Sequence, residues 1–410
     1  MAELADLART SGVDVVGSEV QKRSRIEPAH FIGMSRVDRL RELKLEGAFD
    51  IIVCNEDLSP RQQRNLEKEL KVKVLDRTEV ILEIFAQHAR THEGRLQVEA
   101  ARLHHQLPRL IGSYSYDRQG RGGVGARGGQ GEQQIETEKR RIRKRIRDLD
   151  GEIEQVRSQR HQQRTGRRRA DLETAAIVGY TNAGKSTLLN ALTGAHVRAE
   201  HRLFATLDPT TRRLDLPTGR GLLLTDTVGF IQKLPTDLVA AFRATLEEVT
   251  EADLVIQVLD ASSPGLNQQA ETVDKELAEL GAGDKPRVVV LNKVDLLGPA
   301  ARRRVVAAMS ARYPGAVPIS ATQGLGLADL LSAIDDTSRG ETVPLEILVP
   351  YGREGVLATL RKIGGIDRTE YAETGTRAWG WAPRHAAARF EAYRELSGTS
   401  GSRRGRRRPG

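Results

Sequence analysis

The order of apolar and polar residues predicts alternating strands and helices along most of this chain. In its first part, the apolar runs 50–54 and 72–75 predict two strands. Between them, two leucines four residues apart lie on one face of a helix predicted over 60–70. Residues 1–76 are therefore predicted to form a small α/β unit.

Two long helical patterns follow this unit. The first runs from Thr78 to Leu107, and Pro108 is expected to end it because proline lacks the N–H that a helix interior needs. The second runs from Ile135 to residue 165, with apolar residues at heptad-like spacing. These residues are Ile135, Ile142, Ile146, Leu149, Ile153 and Val156. We expect an antiparallel hairpin within residues 77–170, and a coiled-coil dimer is the alternative.

Residues 171–336 alternate strand and helix patterns in the manner of a doubly wound sheet. The predicted strands are 175–178, 221–225, 254–259, 287–291 and 317–319. After them, a strand at 345–349, a helix at 353–363, strands at 368–373 and 376–382 and a helix from Arg384 predict a βαββα domain over 340–398. The fold class is therefore α/β: a central domain, preceded by a small α/β domain with a long helical hairpin and followed by a small α+β domain.

Composition places the chain among soluble globular proteins. Its 410 residues suffice for several domains, and no apolar stretch reaches the roughly 18 residues of a membrane span. The acidic start of the chain lacks the order of a signal peptide, and a single cysteine, Cys54 in an apolar run, fits a buried thiol in a reducing compartment. We expect a cytoplasmic protein that acts as a monomer.

The net charge of +9 is unevenly distributed. Residues 118–170 contain 16 Lys and Arg against 7 Asp and Glu, and the segment 399–410 is an arginine-rich tail predicted to be disordered. Within the first of these, the glycine-rich stretch 118–131 supplies no core, so a mobile loop at the hairpin tip is expected. Such basic segments point to nucleic acid as a partner. The alternatives are a solvated helix face and, for the glycines, a flexible connector.

The strongest local signal is a G-x-x-x-x-G-K-S sequence between an apolar run and the opening of a helix. In this context the N–H groups of the loop and of the helix N-terminus bind phosphate. Lys185 is expected to reach the terminal phosphates, and the Ser186 hydroxyl to bind Mg²⁺. The predicted phosphate-binding residues are Gly179, Tyr180, Thr181, Asn182, Ala183, Gly184, Lys185, Ser186 and Thr187.

Three later motifs, each after a predicted strand, point to a guanine nucleotide. Asp226 can hold Mg²⁺ through water, and the N–H of Gly229 can contact the γ-phosphate. Asp295 can accept hydrogen bonds from guanine N1–H and the 2-amino group, which adenine does not offer, and the loop 320–322 can present an N–H to guanine O6. The motifs are Asp226, Thr227, Val228 and Gly229; Asn292, Lys293, Val294 and Asp295; and Ser320, Ala321 and Thr322.

Between the P-loop and Asp226 lies a candidate first switch segment. It begins with Phe204, Ala205, Thr206, Leu207 and Asp208. A threonine at this place completes Mg²⁺ coordination when the γ-phosphate is present. Thr206 and Thr210 both qualify, and their spacing does not choose between them.

These segments together resemble the HflX family of ribosome-associated GTPases, and the resemblance covers nearly the whole chain. Its marks are 179–188, 204–210 and 226–231, with 77–86, 108–110 and 131–136 in the N-terminal half. It implies GTP or GDP as ligand, Lys185, Thr206 and Gly229 as catalytic residues, and Ser186, Thr206 and Asp226 around Mg²⁺. It also implies binding to the large ribosomal subunit, with the hairpin tip near the peptidyl-transferase region, and GTP-dependent splitting or rescue of stalled or hibernating ribosomes.

The expected contacts with ribosomal RNA are basic residues of the hairpin. They are Arg121, Arg127, Lys139, Arg140 and Arg143. Phe230 stands where Ras-like enzymes carry a water-orienting glutamine, so we expect slow hydrolysis without a partner. Asn182 stands where related GTPases hold K⁺, which makes K⁺ a candidate cofactor. Two alternatives stay open: a GTPase switch for another target, and an RNA-binding factor whose affinity the nucleotide tunes.

Overall fold

A computed structural model describes the chain over seven segments. They are residues 2–22, 26–114, 128–169, 173–194, 203–232, 246–338 and 342–394. Most of the glycine-rich stretch, with Arg121 and Arg127, lies outside the described residues, as does the tail 399–410.

The N-terminal part has the predicted α/β character. Its helices are α1 (Ala2–Thr10), α2 (Met34–Leu45), α3 (Pro60–Leu70) and α4 (Arg77–His88), and its parallel strands are β1 (Ile51–Val53) and β2 (Lys73–Leu75). Helix α3 starts at a capping box, in which Ser59 and Gln62 satisfy each other's backbone N–H groups. Cys54 is half-buried, and burial raises the pKa of its thiol to about 12, so the thiol stays protonated.

The first long helical pattern is two helices, which corrects the prediction for 78–107. Helix α4 ends at His88, and α5 (His92–Tyr114) begins after a short break. Helix α5 also continues through Pro108. The next residue, Arg109, holds this turn by binding Gln63 and the carbonyl of Leu58, and these distant contacts offset the lost helix hydrogen bond.

The second long helix, α6 (Gly128–Arg169), starts seven residues before Ile135. Extending an existing helix is inexpensive, and the glutamines and glutamate in this stretch favour it, although its three glycines oppose it. Helices α5 and α6 pack against each other as the predicted hairpin, with Leu96, Ala100 and Leu149 buried between them. A pair between Arg145 and Glu99 bridges the two helices at 2.8 Å.

The central domain is a mostly parallel sheet covered by helices on both faces. In the described part of the chain its strand order is β4-β5-β3-β6-β7-β8, and the edge strand β4 is antiparallel to β5. The strands are β3 (Glu173–Gly179), β4 (Thr210–Asp215), β5 (Gly221–Asp226), β6 (Leu254–Asp260), β7 (Arg287–Asn292) and β8 (Val317–Pro318). The helices are α7 (Lys185–Thr193), α8 (Leu266–Glu279), α9 (Pro299–Arg312) and α10 (Leu327–Ser338), and residues 246–251 are helical too. Strand β4 was not predicted from the sequence, because its polar residues face solvent at the sheet edge.

The N-terminal half and the central domain share one hydrophobic core. Leu7, Ile81 and Phe85 from the N-terminal half pack in the same cluster as Phe204 and Phe230 from the central domain. The rings of Phe85 and Phe204 meet edge to face, with centroids 4.7 Å apart. The candidate first switch segment and residues 228–231 therefore pack against the N-terminal half.

The C-terminal part has the predicted βαββα order. It consists of β9 (Thr342–Pro350), α11 (Gly355–Ile363), β10 (Gly365–Ala372), β11 (Gly375–Pro383) and the short α12 (Arg384–Ala387). Strand β11 lies in the middle of this sheet and pairs antiparallel with both neighbours. Among the helices of the described residues, none combines the length and the apolar character that crossing a membrane requires.

Candidate nucleotide-binding site

The G-x-x-x-x-G-K-S segment joins buried strand β3 to helix α7, as its sequence context predicts. Asn182 and Gly184 adopt left-handed backbone conformations, with φ of 61° and 98°. A side chain at Gly184 would place its Cβ 2.3 Å from Nδ2 of Asn292. Glycine is required there both by the backbone conformation and by the close approach of the neighbouring loop.

Lys185 is buried at the floor of the cleft. Its ammonium donates hydrogen bonds to the carbonyls of Tyr180 at 3.0 Å and Gly179 at 3.3 Å. Burial lowers the pKa of Lys185 to about 8, although the nearby Asp226 carboxylate partly opposes this shift. A phosphate bound here would supply the negative charge that this buried cation needs.

Three oxygen-bearing side chains converge beside Lys185. The hydroxyl of Ser186 donates to Oδ2 of Asp226 at 2.6 Å, and the hydroxyl of Thr206 donates to the same atom at 3.0 Å. The two hydroxyl oxygens are 2.7 Å apart. Thr210 instead begins strand β4, where its backbone pairs with Asp226. The geometry therefore favours Thr206 over Thr210.

This group of oxygens fits a small, hard cation. Asp226 is fully buried, and burial raises the pKa of its carboxyl. Among the described residues, its Oδ1 atom has no hydrogen-bond partner. Mg²⁺ prefers oxygen ligands and usually combines one or two protein ligands with phosphate oxygens and water. Ser186, Thr206 and Asp226 could supply the protein ligands.

Gly229 follows β5 and approaches the P-loop closely. A Cβ atom on Gly229 would lie 2.7 Å from Cα of Thr181 and 2.8 Å from Nζ of Lys185, so no larger residue fits. The next residue, Phe230, donates its N–H to the carbonyl of Gly179 and accepts from the N–H of Thr181. Its ring is buried in the shared core, so this position presents no polar side chain to a water molecule.

The opposite end of the cleft contains the residues predicted to bind guanine. Asn292 ties three loops together: its Nδ2 donates to the carbonyl of Ala183 at 2.9 Å, and its Oδ1 accepts the N–H of Ala321 at 3.0 Å. Nζ of Lys293 lies 2.7 Å from Asp260 and donates to the carbonyl of Asn182. Of the loop 320–322, Thr322 lines the cleft, whereas the N–H of Ala321 is taken by Asn292.

Fifteen of the predicted binding residues line one cleft of about 330 Å³, a size typical of ligand sites. They are Thr181, Asn182, Gly184, Lys185, Ser186, Thr187, Phe204, Ala205, Thr206, Thr227, Gly229, Asn292, Lys293, Asp295 and Thr322. Leu296 also lines the cleft and was not predicted. The sequence signal that could have identified Leu296 is its place directly after Asp295. Its side chain lies at the rim of the cleft and is 65% exposed.

The other predicted residues lie behind this wall. Gly179, Ala183, Val228, Val294, Ser320 and Ala321 are buried without lining the cleft, Asp226 is buried beneath Ser186 and Thr206, and Leu207 is buried in the shared core. Asp208 binds the start of helix α5. Tyr180 directs its hydroxyl away from the cleft: it contacts Glu3 of α1 and accepts the N–H of Gln232.

Arg77 completes a buried network that sequence reasoning missed. Its guanidinium pairs with Glu3, donates to Asn55 at 3.0 Å and donates to the carbonyl of Gln232 at 2.8 Å. Gln232 follows the Asp226–Gly229 motif, so the network joins this motif and the P-loop to α1 and α4. An arginine at a helix start gives no local sign of such distant partners.

Known protein families match three consecutive parts of the chain. Residues 1–86 match the family described as "GTP-binding GTPase N-terminal", 88–167 match "GTP-binding GTPase Middle Region", and 174–293 match "50S ribosome-binding GTPase". The chain is 44% identical to GTPase HflX of Caldanaerobacter subterraneus subsp. tengcongensis over 373 residues, which cover 91% of this chain and 85% of the relative. The chain belongs to the HflX family of GTPases.

Another HflX relative, from Escherichia coli, is 39% identical over 377 residues, or 92% of this chain and 88% of the relative. Among solved structures, a GTP-binding protein from Sulfolobus solfataricus in complex with GDP matches at 26% identity and a TM-score of 0.44, over 82% of this chain and 94% of that one. The identity with GTPase HflX relatives and the match to the GTPase family over 174–293 show that the chain binds GTP and hydrolyses it to GDP and phosphate, as its sequence predicts. The predicted family and fold class are likewise confirmed.

Proposed function

We propose that this GTPase binds the large ribosomal subunit and uses GTP to split or rescue stalled or hibernating ribosomes. The observation that carries the proposal is the basic outer surface of the hairpin helix α6, next to the nucleotide domain. The description of the family that matches 174–293 names 50S ribosome binding, which supports the same partner.

The hairpin residues differ in how well they suit RNA contact. The side chains of Arg140 and Arg143 are 75% and 47% exposed, and each lies 3.9 Å from Glu136, a weak surface pairing that phosphate can replace. Lys139 is only 19% exposed. We therefore assign the main described contacts to Arg140 and Arg143. Arginine suits this role because its planar group forms paired hydrogen bonds with phosphate.

The cofactor of the reaction is proposed to be Mg²⁺, held by Ser186, Thr206 and Asp226. When bound, the ion neutralises charge on the β- and γ-phosphates. Lys185 binds the same phosphates, Gly229 leaves room for the γ-phosphate, and Thr206 is in place to contact the metal. K⁺ at Asn182, which lines the cleft, is proposed as a second cation.

Hydrolysis is proposed to be slow until a partner completes the site, because Phe230 cannot orient water. Partner-supplied groups raise GTPase rates by about 10³-fold or more in related systems. The rate is measured with and without large subunits, in KCl and in NaCl. Equal rates with and without subunits would refute the stimulation, and equal rates in the two salts would remove K⁺ from the proposal.

Binding to the large subunit is tested by co-sedimentation in the presence of GDP or of a non-hydrolysable GTP analogue. Splitting is tested separately, by adding the protein to intact ribosomes and measuring how many remain intact. The double variant Arg140→Glu/Arg143→Glu is compared with Arg303→Glu/Arg304→Glu, which makes the same charge change on exposed positions of α9. We expect the hairpin variant alone to lose association and show a weaker dependence on salt.

Three outcomes distinguish the proposals. Unimpaired association of the hairpin variant would refute the assigned RNA contact. Association without loss of intact ribosomes would favour an RNA-binding factor tuned by nucleotide. No association of the unaltered protein in any nucleotide state would favour a GTPase switch with another target.

A further inference from the structure

Asp208, predicted to bind the nucleotide, instead faces the helical hairpin. Its carboxylate accepts hydrogen bonds from the backbone N–H groups of Arg90 and Thr91, each at 2.9 Å, and from the hydroxyl of Thr91. These groups lie 117 and 118 positions away in the chain. The first switch segment is thus tied directly to the N-terminal half of the protein.

The bound groups lie at the beginning of helix α5. Thr91 directly precedes the helix, and its hydroxyl oxygen accepts the N–H of Gly94 at 2.9 Å. The first N–H groups of a helix lack partners within the helix and attract negative charge. Thr91 is therefore the N-cap residue of α5, and Asp208, from the switch segment, holds this residue in place through its N–H and hydroxyl groups.

The switch segment is held at both ends. At one end, the N–H of Phe204 donates to the hydroxyl of Thr181 in the P-loop at 2.9 Å, and its ring packs on Phe85. At the other end lies the Asp208 contact. Thr206 lies between them, and only Leu207, buried in the core, separates it from Asp208. A displacement of Thr206 away from Ser186 must therefore pull on Asp208.

We propose that Asp208 is a positioning residue for the GTPase reaction: it holds Thr206 beside Ser186 and Asp226, and it couples the state of Thr206 to the start of the hairpin helix α5. The inference rests on the proposed metal role of Thr206 and is independent of the ribosome. Coupling between two sites is reciprocal: if binding of GTP orders the start of α5, then ordering the start of α5 must favour binding of GTP to the same extent.

The coupling acts on GTP and GDP differently. Thr206 contacts the metal when a γ-phosphate is present, so its position matters for GTP and much less for GDP. Without Asp208, the segment must be ordered when GTP binds, and affinity falls. We expect Asp208→Ala to weaken binding of a GTP analogue at least about tenfold, which corresponds to one of its three charged hydrogen bonds, and to weaken GDP binding less than about twofold.

Gly94 allows the contact to be broken from the hairpin side. A Cβ atom at Gly94 would lie 2.4 Å from Oδ1 of Asp208, so Gly94→Ala must displace the carboxylate. Alanine is otherwise the better helix former. The matched control is Gly151→Ala in α6, where a Cβ atom meets nothing within 4 Å. Gly94→Ala should lower the preference for GTP as Asp208→Ala does, and the control should leave it unchanged.

The decisive measurements use the full-length protein without ribosomes. Affinities for GDP and for the GTP analogue are measured for Asp208→Ala, Gly94→Ala and the control Gly151→Ala. The same affinities are measured for Asp208→Asn, Thr206→Ala and the double variant Thr91→Val/Asp208→Ala. Asparagine retains an acceptor and should restore part of the preference for GTP. The double variant should show the same preference as Asp208→Ala, because without the Asp208 carboxylate the Thr91 hydroxyl has no contact left with the switch segment. Hydrogen exchange at residues 90–94 should be slower with the analogue than with GDP, and this difference should disappear in Asp208→Ala.

Each failure has a distinct meaning. If Thr206→Ala retains the full preference for GTP, the metal role of Thr206 is wrong. If Thr206→Ala loses the preference and Asp208→Ala keeps it, the metal role stands and the positioning role of Asp208 is overturned. Equal weakening of GTP and GDP binding in Asp208→Ala, with no nucleotide effect on exchange at 90–94, would also overturn it, since a purely structural contact gives that result.

Discussion

The buried Lys185 predicts that nucleotide binding weakens above pH 8. In the nucleotide-free protein, burial lowers the pKa of this ammonium to about 8. Bound phosphate favours the charged form and raises the pKa again. Binding therefore requires a protonated Lys185: affinity is constant below the lower pKa and falls as pH rises through it, until the pKa of the complex is reached.

The size of the effect follows from the protonated fraction. With a pKa of about 8, roughly ten-elevenths of the lysine is protonated at pH 7 and about one-eleventh at pH 9. If the complex stays protonated over this range, GDP affinity falls about tenfold, or about 1.4 kcal/mol. A lysine with an ordinary pKa near 10.4 would change affinity by less than about 10%.

The assay is GDP binding by calorimetry at several values between pH 7 and 9, in a chelator so that no metal ligand titrates. GMP is the control, because it carries the same guanine and lacks the terminal phosphate that Lys185 reaches. Affinity for GMP should show a smaller decline that comes from the base. A flat profile for GDP, or identical declines for GDP and GMP, would refute the burial argument.

Two further predictions concern the buried network and base recognition. Arg77→Ala should lower the opening free energy of α4 amides in hydrogen exchange by about 3 kcal/mol, the low end for a broken buried pair because Glu3 is 28% exposed. Arg102→Ala removes an exposed pair with Glu83 and should cost at most about 1 kcal/mol, so equal costs would contradict the role of burial. Asp295→Asn should reduce the ratio of GTP to ATP affinity about 100-fold, since two charged hydrogen bonds are lost; an unchanged ratio in competition binding would remove the assignment of Asp295 to guanine.

Several elements could be predicted because their causes are local. A buried strand, a glycine-rich turn and the start of a helix follow one another within 175–187, so this short segment was enough to predict the phosphate site. The helix over 60–70 was predicted with its bounds from the spacing of its leucines, and the capping box of Ser59 and Gln62 at its start is also local. The packing of the two hairpin helices could be predicted because the apolar residues of the second helix repeat with the heptad period of packed helices.

Other features depend on distant partners. The break between α4 and α5 is stabilised by Asp208, and the passage of α5 through Pro108 by the contacts of Arg109. Edge strand β4 has too few buried residues for its pattern to predict a strand. Spacing alone did not choose between Thr206 and Thr210; the family resemblance implied Thr206, and the position of Asp226 in space favours the same residue.

The sequence by itself determined that this chain carries a guanine-nucleotide site in a P-loop domain, because each motif follows its own strand and its spacing is set by the backbone. It also determined the hairpin and its charge. Only the tertiary structure decided how these parts act on one another. The shared core, the Arg77–Glu3 pair and the contact of Asp208 with residues 90–91 join residues more than 70 positions apart in the chain. No local pattern of hydrophobicity or charge encodes such pairs.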